Sequence, residues 1–237
     1  MANSLRAYKL IAVAGLKDSG KTTAAQMLNY LLNAPNIFRN YWWYKIFKKW
    51  PFNHKWETTA FAKPLKQSLA IILNKPVEWF DNRKNKENYF VDLSTLNIYP
   101  KSVTQEGIQL SENKFQKYVK LGEPLPMEQL VSIRQIMQYY GTNVIRKYLG
   151  DKTWINATLN KVTHKNIIVS DLRFRVELNE IKQQKGVSVY ILRDSAKPGT
   201  HASEREVVEL NDENAFDYIV KNNGTLKDLF NNLKAII

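Results

Sequence analysis

Gly15-Leu16-Lys17-Asp18-Ser19-Gly20-Lys21-Thr22 sets two glycines, a lysine and a hydroxyl at the spacing G-x-x-x-x-G-K-[ST], which lets a short loop wrap a phosphate. The flanks suit that reading. Tyr8 to Ala14 is an apolar run of buried-strand length, and Thr23 to Leu32 places Ala24, Met27, Leu28, Leu31 and Leu32 on one helical stripe. Strand, glycine-bounded loop and helix together predict a nucleotide phosphate cradle. Backbone N–H groups of Gly15, Lys17, Asp18, Ser19, Gly20 and Thr23 face the phosphates, the Lys21 ammonium reaches the β and γ oxygens, and the Thr22 hydroxyl holds Mg²⁺.

Working outward, 237 residues fit one large domain, and a single domain over 1–237 is expected, with insertions near 36–56 and 74–126. A hydrophobic fraction of 44% and a mean hydropathy of −0.43 suit a globular protein with a substantial core. No apolar run approaches the roughly 18 residues of a membrane span, so no membrane partner is expected. Met1 to Arg6 leads almost directly into the first strand, without room for a signal peptide. With no cysteine there are no disulfides and no Cys-based zinc sites, in keeping with a cytoplasmic location. The net charge of +13 favours anionic partners, either nucleic acid or phosphorylated small molecules. A nucleotide site needs only a handful of cations, so it does not account for the surplus.

After α-helical residues 23–32, Asn33-Ala34-Pro35-Asn36 stops the helix, and Tyr41 to Trp56 follows, dense in aromatic and basic side chains. Such a stretch can stack bases and grip phosphates, anchor at a membrane surface or form a partner interface. The favoured expectation is plainer: a strand or short helix that packs its rings into an extended core. Thr58 to Phe61 ends a second strand, and Ala62-Lys63-Pro64 opens a helix with Leu65, Leu69, Ile72 and Leu73 as its apolar face. Asn74 to Pro126 is polar and short-segmented, with a hairpin possible over Asn97 to Gln109, and it reads as a lid-like or substrate-side insertion. Met127 to Leu149 reads as helix, interrupted at Gly141-Thr142, and Trp154 to Ala157 continues a second piece. Asn166 to Asp171 is an apolar strand closing on an acid, either a Mg²⁺-facing carboxylate or an ordinary strand-end cap. Glu177 to Lys185 is an amphipathic helix, Val187 to Leu192 a buried strand ending at Arg193, Asp217 to Val220 a last strand, and Leu226 to Ile237 a terminal helix. Strands alternating with helices predict an α/β fold of the P-loop NTPase type, three layers α/β/α around a mostly parallel sheet with helical and hairpin insertions.

The remaining charged set, Lys63, Arg134, Asp171, Arg173, Arg175 and Arg193, suits phosphoryl transfer to a small acceptor, where guanidinium forks bracket donor and acceptor phosphates. No convincing Asn/Thr-Lys-x-Asp element reads guanine, and helicase-like motors need more chain.

At these residues the sequence resembles the bacteriophage deoxynucleoside monophosphate kinases, over nearly its whole length and in order. The shared elements are the loop, Phe61-Ala62-Lys63-Pro64-Leu65-Lys66, Ile133 to Thr142, Trp154, Val169 to Glu177, His201 to Glu204 and Ile219 to Leu229. The resemblance implies transfer of the ATP γ-phosphate to a deoxynucleoside 5′-monophosphate (dNMP) for DNA precursor supply, with Mg²⁺, in a monomer or homodimer. By position it implies that Lys21, Arg134, Asp171, Arg173 and Arg175 are catalytic. Phe61, Lys63, Gly141, Thr142, Trp154 and Glu177 would bind substrate beside Arg134, Asp171 and Arg173. Arg193 with the turn Asn222 to Thr225, Gly224 included, would edge the adenine pocket, and Thr22 with Asp171 would hold the metal, Asp171 through water.

Two positions depart from the family. Thr22 stands where members often carry an acid after the loop lysine, with Asp18 either a partial substitute or a solvent-facing side chain, and Lys63 stands where an acid often sits in the Phe-Ala-x-Pro segment. The stretch Tyr41 to Trp56 lies outside the family core. His54, His164 and His201 are scattered, with no metal-ligand spacing. Two alternatives stay open: another small-acceptor kinase, for dephospho-coenzyme A or nucleoside monophosphates generally, and a nucleic-acid-binding P-loop ATPase.

Overall fold

Every residue of β1 (Leu10–Ala14) is buried, as expected of a strand covered on both faces. The computed structural model of the protein describes residues 4–52, 54–105, 107–160, 165–197 and 202–237; His164 and His201 fall outside them. β1 runs through the glycine loop into α1 (Lys21–Asn33), which buries Ala24, Ala25, Met27, Leu28 and Leu31 and ends as Ala34 turns extended. The aromatic-rich stretch forms α2 (Tyr41–Phe47), capped by the Asn40 side chain, which accepts from the Trp43 N–H. Tyr44, Trp50 and Trp56 enter the core there. β2 (Trp56–Thr59) follows, then α3 (Ala62–Ile72). Leu69, Ala70 and Leu73 bury. Ile72, expected on the same face, is exposed, because the buried stripe centres between Leu69 and Ala70 and leaves Ile72 beyond its edge.

Next come α4 (Arg83–Asn88), β3 (Tyr89–Asp92), β4 (Ile98–Pro100), α5 (Glu112–Leu121), β5 (Leu130–Ser132) and α6 (Ile133–Tyr139). The helix expected over Met127 to Leu149 therefore begins as a strand. Ser132 then starts α6 with a capping box: its Oγ accepts the Gln135 N–H at 3.2 Å, and the Gln135 side chain accepts the Ser132 N–H at 2.9 Å. The interruption expected at Gly141-Thr142 is a widened, π-helical turn over Tyr140–Arg146, followed by α7 (Lys147–Leu149). The chain closes with α8 (Thr153–Leu159), β6 (Asn166–Leu172), α9 (Arg175–Gln183), β7 (Val187–Leu192), α10 (Ala202–Asp212), β8 (Tyr218–Lys221) and α11 (Leu226–Lys234). None of the described helices is long and apolar enough to cross a membrane.

The elements fall into two compact units, Met1–Phe61 with Ile155–Ile237, and Ala62–Trp154. In the first, five parallel strands lie in the order β2-β6-β1-β7-β8. Side chains of β1 alternate between two cores: Ile11 and Val13 pack with α1 and α11, Leu10, Ala12 and Ala14 with α8, α9 and α10. This is a three-layer α/β/α fold. With β1 central, the loops leaving β1, β6 and β7 gather at the carboxyl edge of the sheet, where ligands of such folds bind. The second unit has an antiparallel sheet β4-β3-β5 over a core of Leu69, Phe80, Val91, Phe115, Val131 and Ile133.

Candidate functional site

Two glycines shape the loop after β1. Gly15 has φ 151°, and a Cβ on it would stand 2.9 Å from the Ile191 carbonyl oxygen. Gly20 caps α1 at φ 90°, and a Cβ there would meet the Asn222 side chain at 2.5 Å. That asparagine, expected at an adenine pocket, is buried and donates from Nδ2 to the Ser19 carbonyl oxygen at 2.8 Å, while its own N–H donates to Leu192. It ties the loop to the end of β7. Gly224, in the same turn, leaves room for Asp228, whose carboxylate accepts the Thr225 N–H and would lie 2.5 Å from a Cβ at 224.

Inside the loop the Ser19 hydroxyl is buried without a hydrogen-bond partner. Most buried polar groups are satisfied, so this oxygen keeps an unused capacity to hydrogen-bond. Lys21 bends back and donates from Nζ to the Leu16 carbonyl at 2.9 Å. Its pKa is pushed below the usual lysine range by burial first and by the Arg173 guanidinium second, while Glu204, Asp171 and Asp18 act in the opposite sense. Glu204 as part of this charge field was not legible in the sequence, since α10 reaches the lysine only through the fold. Lys17, Asp18 and Thr22 are exposed, the Thr22 hydroxyl at the start of α1, and Arg193 leans on the loop with Nη1 3.4 Å from the Asp18 carbonyl.

Asp171 sits at the end of β6 and accepts the Phe61 N–H at 2.6 Å through Oδ1. The Phe61 ring itself is buried in the core. Arg173 is exposed just beyond. Its backbone is held by Glu177, a carboxylate only 2% exposed that accepts the N–H groups of Arg173 at 2.8 Å and Phe174 at 3.1 Å. Glu177, expected on the substrate, thus anchors the start of α9. Arg175 forms a two-pronged ion pair with Glu213 at 2.7 and 2.8 Å. The guanidinium expected at a transferring phosphate is engaged there.

The second unit holds the other expected residues. Arg134 opens α6 and pairs through Nη2 with Glu87 at 3.0 Å, at the rim of a cleft of about 410 Å³ that Lys86, Phe90, Gln109 and Ser111 also line. Gly141 lies in the widened turn, where a Cβ would meet Leu65 at 3.2 Å, and its carbonyl accepts the buried Trp154 indole N–H at 3.0 Å. Thr142 and Lys63 are exposed. Among the described residues no three His, Asp or Glu side chains come together as a metal cage.

A parallel α/β/α sheet whose glycine loop opens beside an acid and an arginine defines a kinase-fold protein. The chain belongs to the deoxynucleotide monophosphate kinase family, whose pattern matches residues 66–233; Arg134, Asp171, Arg173 and Asn222 lie within that span and the glycine loop lies before it. It is also similar to a protein of Acanthamoeba polyphaga mimivirus named "Putative deoxynucleotide monophosphate kinase", at 29% identity over 119 residues, 44% of this chain. The match spans 60% of the mimivirus protein.

Proposed function

We propose that the protein transfers the γ-phosphoryl group of ATP to a deoxynucleoside 5′-monophosphate, giving ADP and the deoxynucleoside diphosphate. The observation that carries this reading is the loop 15–22: a buried, partnerless Ser19 hydroxyl, a lysine held among countercharges, and glycines that admit close approach, in a chain of this family. An acceptor phosphate oxygen bonds to the γ phosphorus as the β,γ-bridging P–O bond breaks. Lys21 and the loop N–H groups hold the β and γ oxygens, and Arg173 neutralises charge that spreads onto the equatorial oxygens. In the second unit, Arg134 takes the acceptor phosphate, exchanging Glu87 for it. Glu177 acts by fixing the Arg173 backbone.

The donor set fits Mg²⁺, which keeps several waters and binds through one or two protein oxygens plus substrate phosphates; Thr22 and Asp171 would hold it. When bound, the ion would neutralise donor oxygens during transfer. The reaction is expected in the cytoplasm.

The deciding experiment is a coupled ADP-release assay with Mg·ATP against each dNMP, each ribonucleoside monophosphate, dephospho-coenzyme A and single-stranded DNA. Turnover with dNMPs is expected. Silence with every dNMP would overturn the proposal.

A further inference from the structure

From Ser19 to Trp56 the chain contains no aspartate or glutamate. The end of this segment, α2 and the loop after it, has a divided set of rings. Tyr44, Trp50 and Trp56 are buried with Tyr30 and Phe230, whereas Trp42 is 62% and Phe52 65% exposed. The exposed rings are not stray side chains. Trp42 sits edge-on to Trp43 at 4.5 Å, Trp43 stacks on Phe47 at 5.7 Å, Phe47 meets Trp50 at 5.9 Å, and Trp50 meets Phe52 at 5.6 Å. A ladder rooted in the core therefore holds a ring at each end. Lys45, Lys48, Lys49 and Lys55 are exposed along the same stretch, and no salt bridge occupies them among the described residues.

We propose that this surface binds single-stranded nucleic acid. Two preset rings among lysines that no carboxylate engages among the described residues, Lys48 resting over the Tyr44 ring at 5.4 Å, match a ligand that alternates flat bases with charged phosphates, and stacking on a rigid ring is sequence-tolerant. A second copy of the chain is disfavoured, since the same lysines would face each other on a molecule of charge +13. A lipid surface is disfavoured as well: Lys45 interrupts the exposed Trp42 and Ile46 on α2, Lys48 and Lys49 follow directly after the helix, and no continuous apolar face is left to insert. The surface accounts for positive charge that the phosphate loop does not need, and it stands or falls independently of the kinase reading.

The test is fluorescence anisotropy of a fluorescein-labelled oligothymidylate with the full chain, with Mg·ATP present to fill the loop. Binding is expected at low salt, with a log–log salt slope near −3, from about −0.7 for each of four lysine contacts. Trp42→Ala and Phe52→Ala should each weaken binding roughly five- to a hundredfold, and the K45E/K49E double variant should abolish it, all three keeping dNMP phosphorylation and thermal midpoint. Absence of binding at low salt overturns the proposal. So does binding that polyglutamate displaces as well as unlabelled oligothymidylate does and that neither ring variant weakens. Capture by phosphatidylserine/phosphatidylcholine vesicles without oligonucleotide binding would assign the surface to lipid, and a dimer dissolved by Trp42→Ala would assign it to self-association.

Discussion

Ser19 keeps a hydroxyl where neither the fold nor solvent satisfies it, which costs on the order of 1–3 kcal/mol. Ser19→Ala should therefore raise the thermal midpoint of the nucleotide-free protein by roughly 2–4 °C per kcal/mol recovered, while the stabilisation conferred by ATP shrinks; differential scanning fluorimetry reads both. A midpoint that falls in both conditions would mean the hydroxyl already serves the fold. Lys21 gives a second handle. Burial and Arg173 hold its pKa low in the free protein, and a bound polyphosphate must raise it again. ATP binding should then draw protons from solution at pH values between the depressed and the restored pKa. Calorimetry in two buffers of different ionisation enthalpy measures the uptake, and Lys21→Met should remove it. Lys21→Ala should also lose transfer by roughly a hundredfold or more, the scale of removing one charge-stabilising donor.

Among the elements, α9 and α6 start on side chains that anchor backbone. Glu177→Ala removes a buried acceptor of two N–H groups and should cost about 3 kcal/mol in urea unfolding, since a hydrogen bond to a charged group contributes about 1.5–3. Transfer should fall too, because Arg173 loses its anchor. Ser132→Ala should cost about 1 kcal/mol and leave ATP binding unaltered. These boundaries also show what the sequence made legible. β1, the loop and α1 could be read because an apolar run, two glycines and a helical stripe coincide within residues 8–32, each constraining the next. The start of α6 could not be read from periodicity, since Leu130, Val131 and Ile133 continue an apolar pattern through a strand-to-helix change; the Ser132-x-x-Gln135 box marks it instead. The expected site residues were placed by type and order, yet their partners were out of reach. Glu213 on Arg175 and Glu87 on Arg134 depend on where distant segments come together, and no local spacing encodes that; Glu177 on the Arg173 backbone is a local contact, four residues along at the start of α9.

Over the whole molecule, the expected donor-side residues lie in the first unit, whereas the expected substrate residues are shared, with Arg134, Gly141, Thr142 and Trp154 in the second. Hydrogen exchange should show ATP alone protecting amides of 15–24, and a dNMP alone protecting amides around Arg134 and the Glu87 cleft. Protection of neither region by its ligand would detach these residues from the function proposed for them. The unit that carries the glycine loop is also discontinuous along the chain, whereas Ala62–Trp154 is contiguous. β1 needs β6 and β7 at its sides, Asn222 braces Ser19, and the Leu5 N–H donates to the Ile236 carbonyl. On the ribosome, then, the first sixty or so residues emerge early and wait, while the intervening segment can settle as soon as it is made, as units fold during synthesis. The phosphate loop is completed only when the last strand and helix arrive. A chain cut short anywhere before residue 222 lacks this brace, so the geometry of the glycine loop waits on a residue 203 positions beyond Ser19.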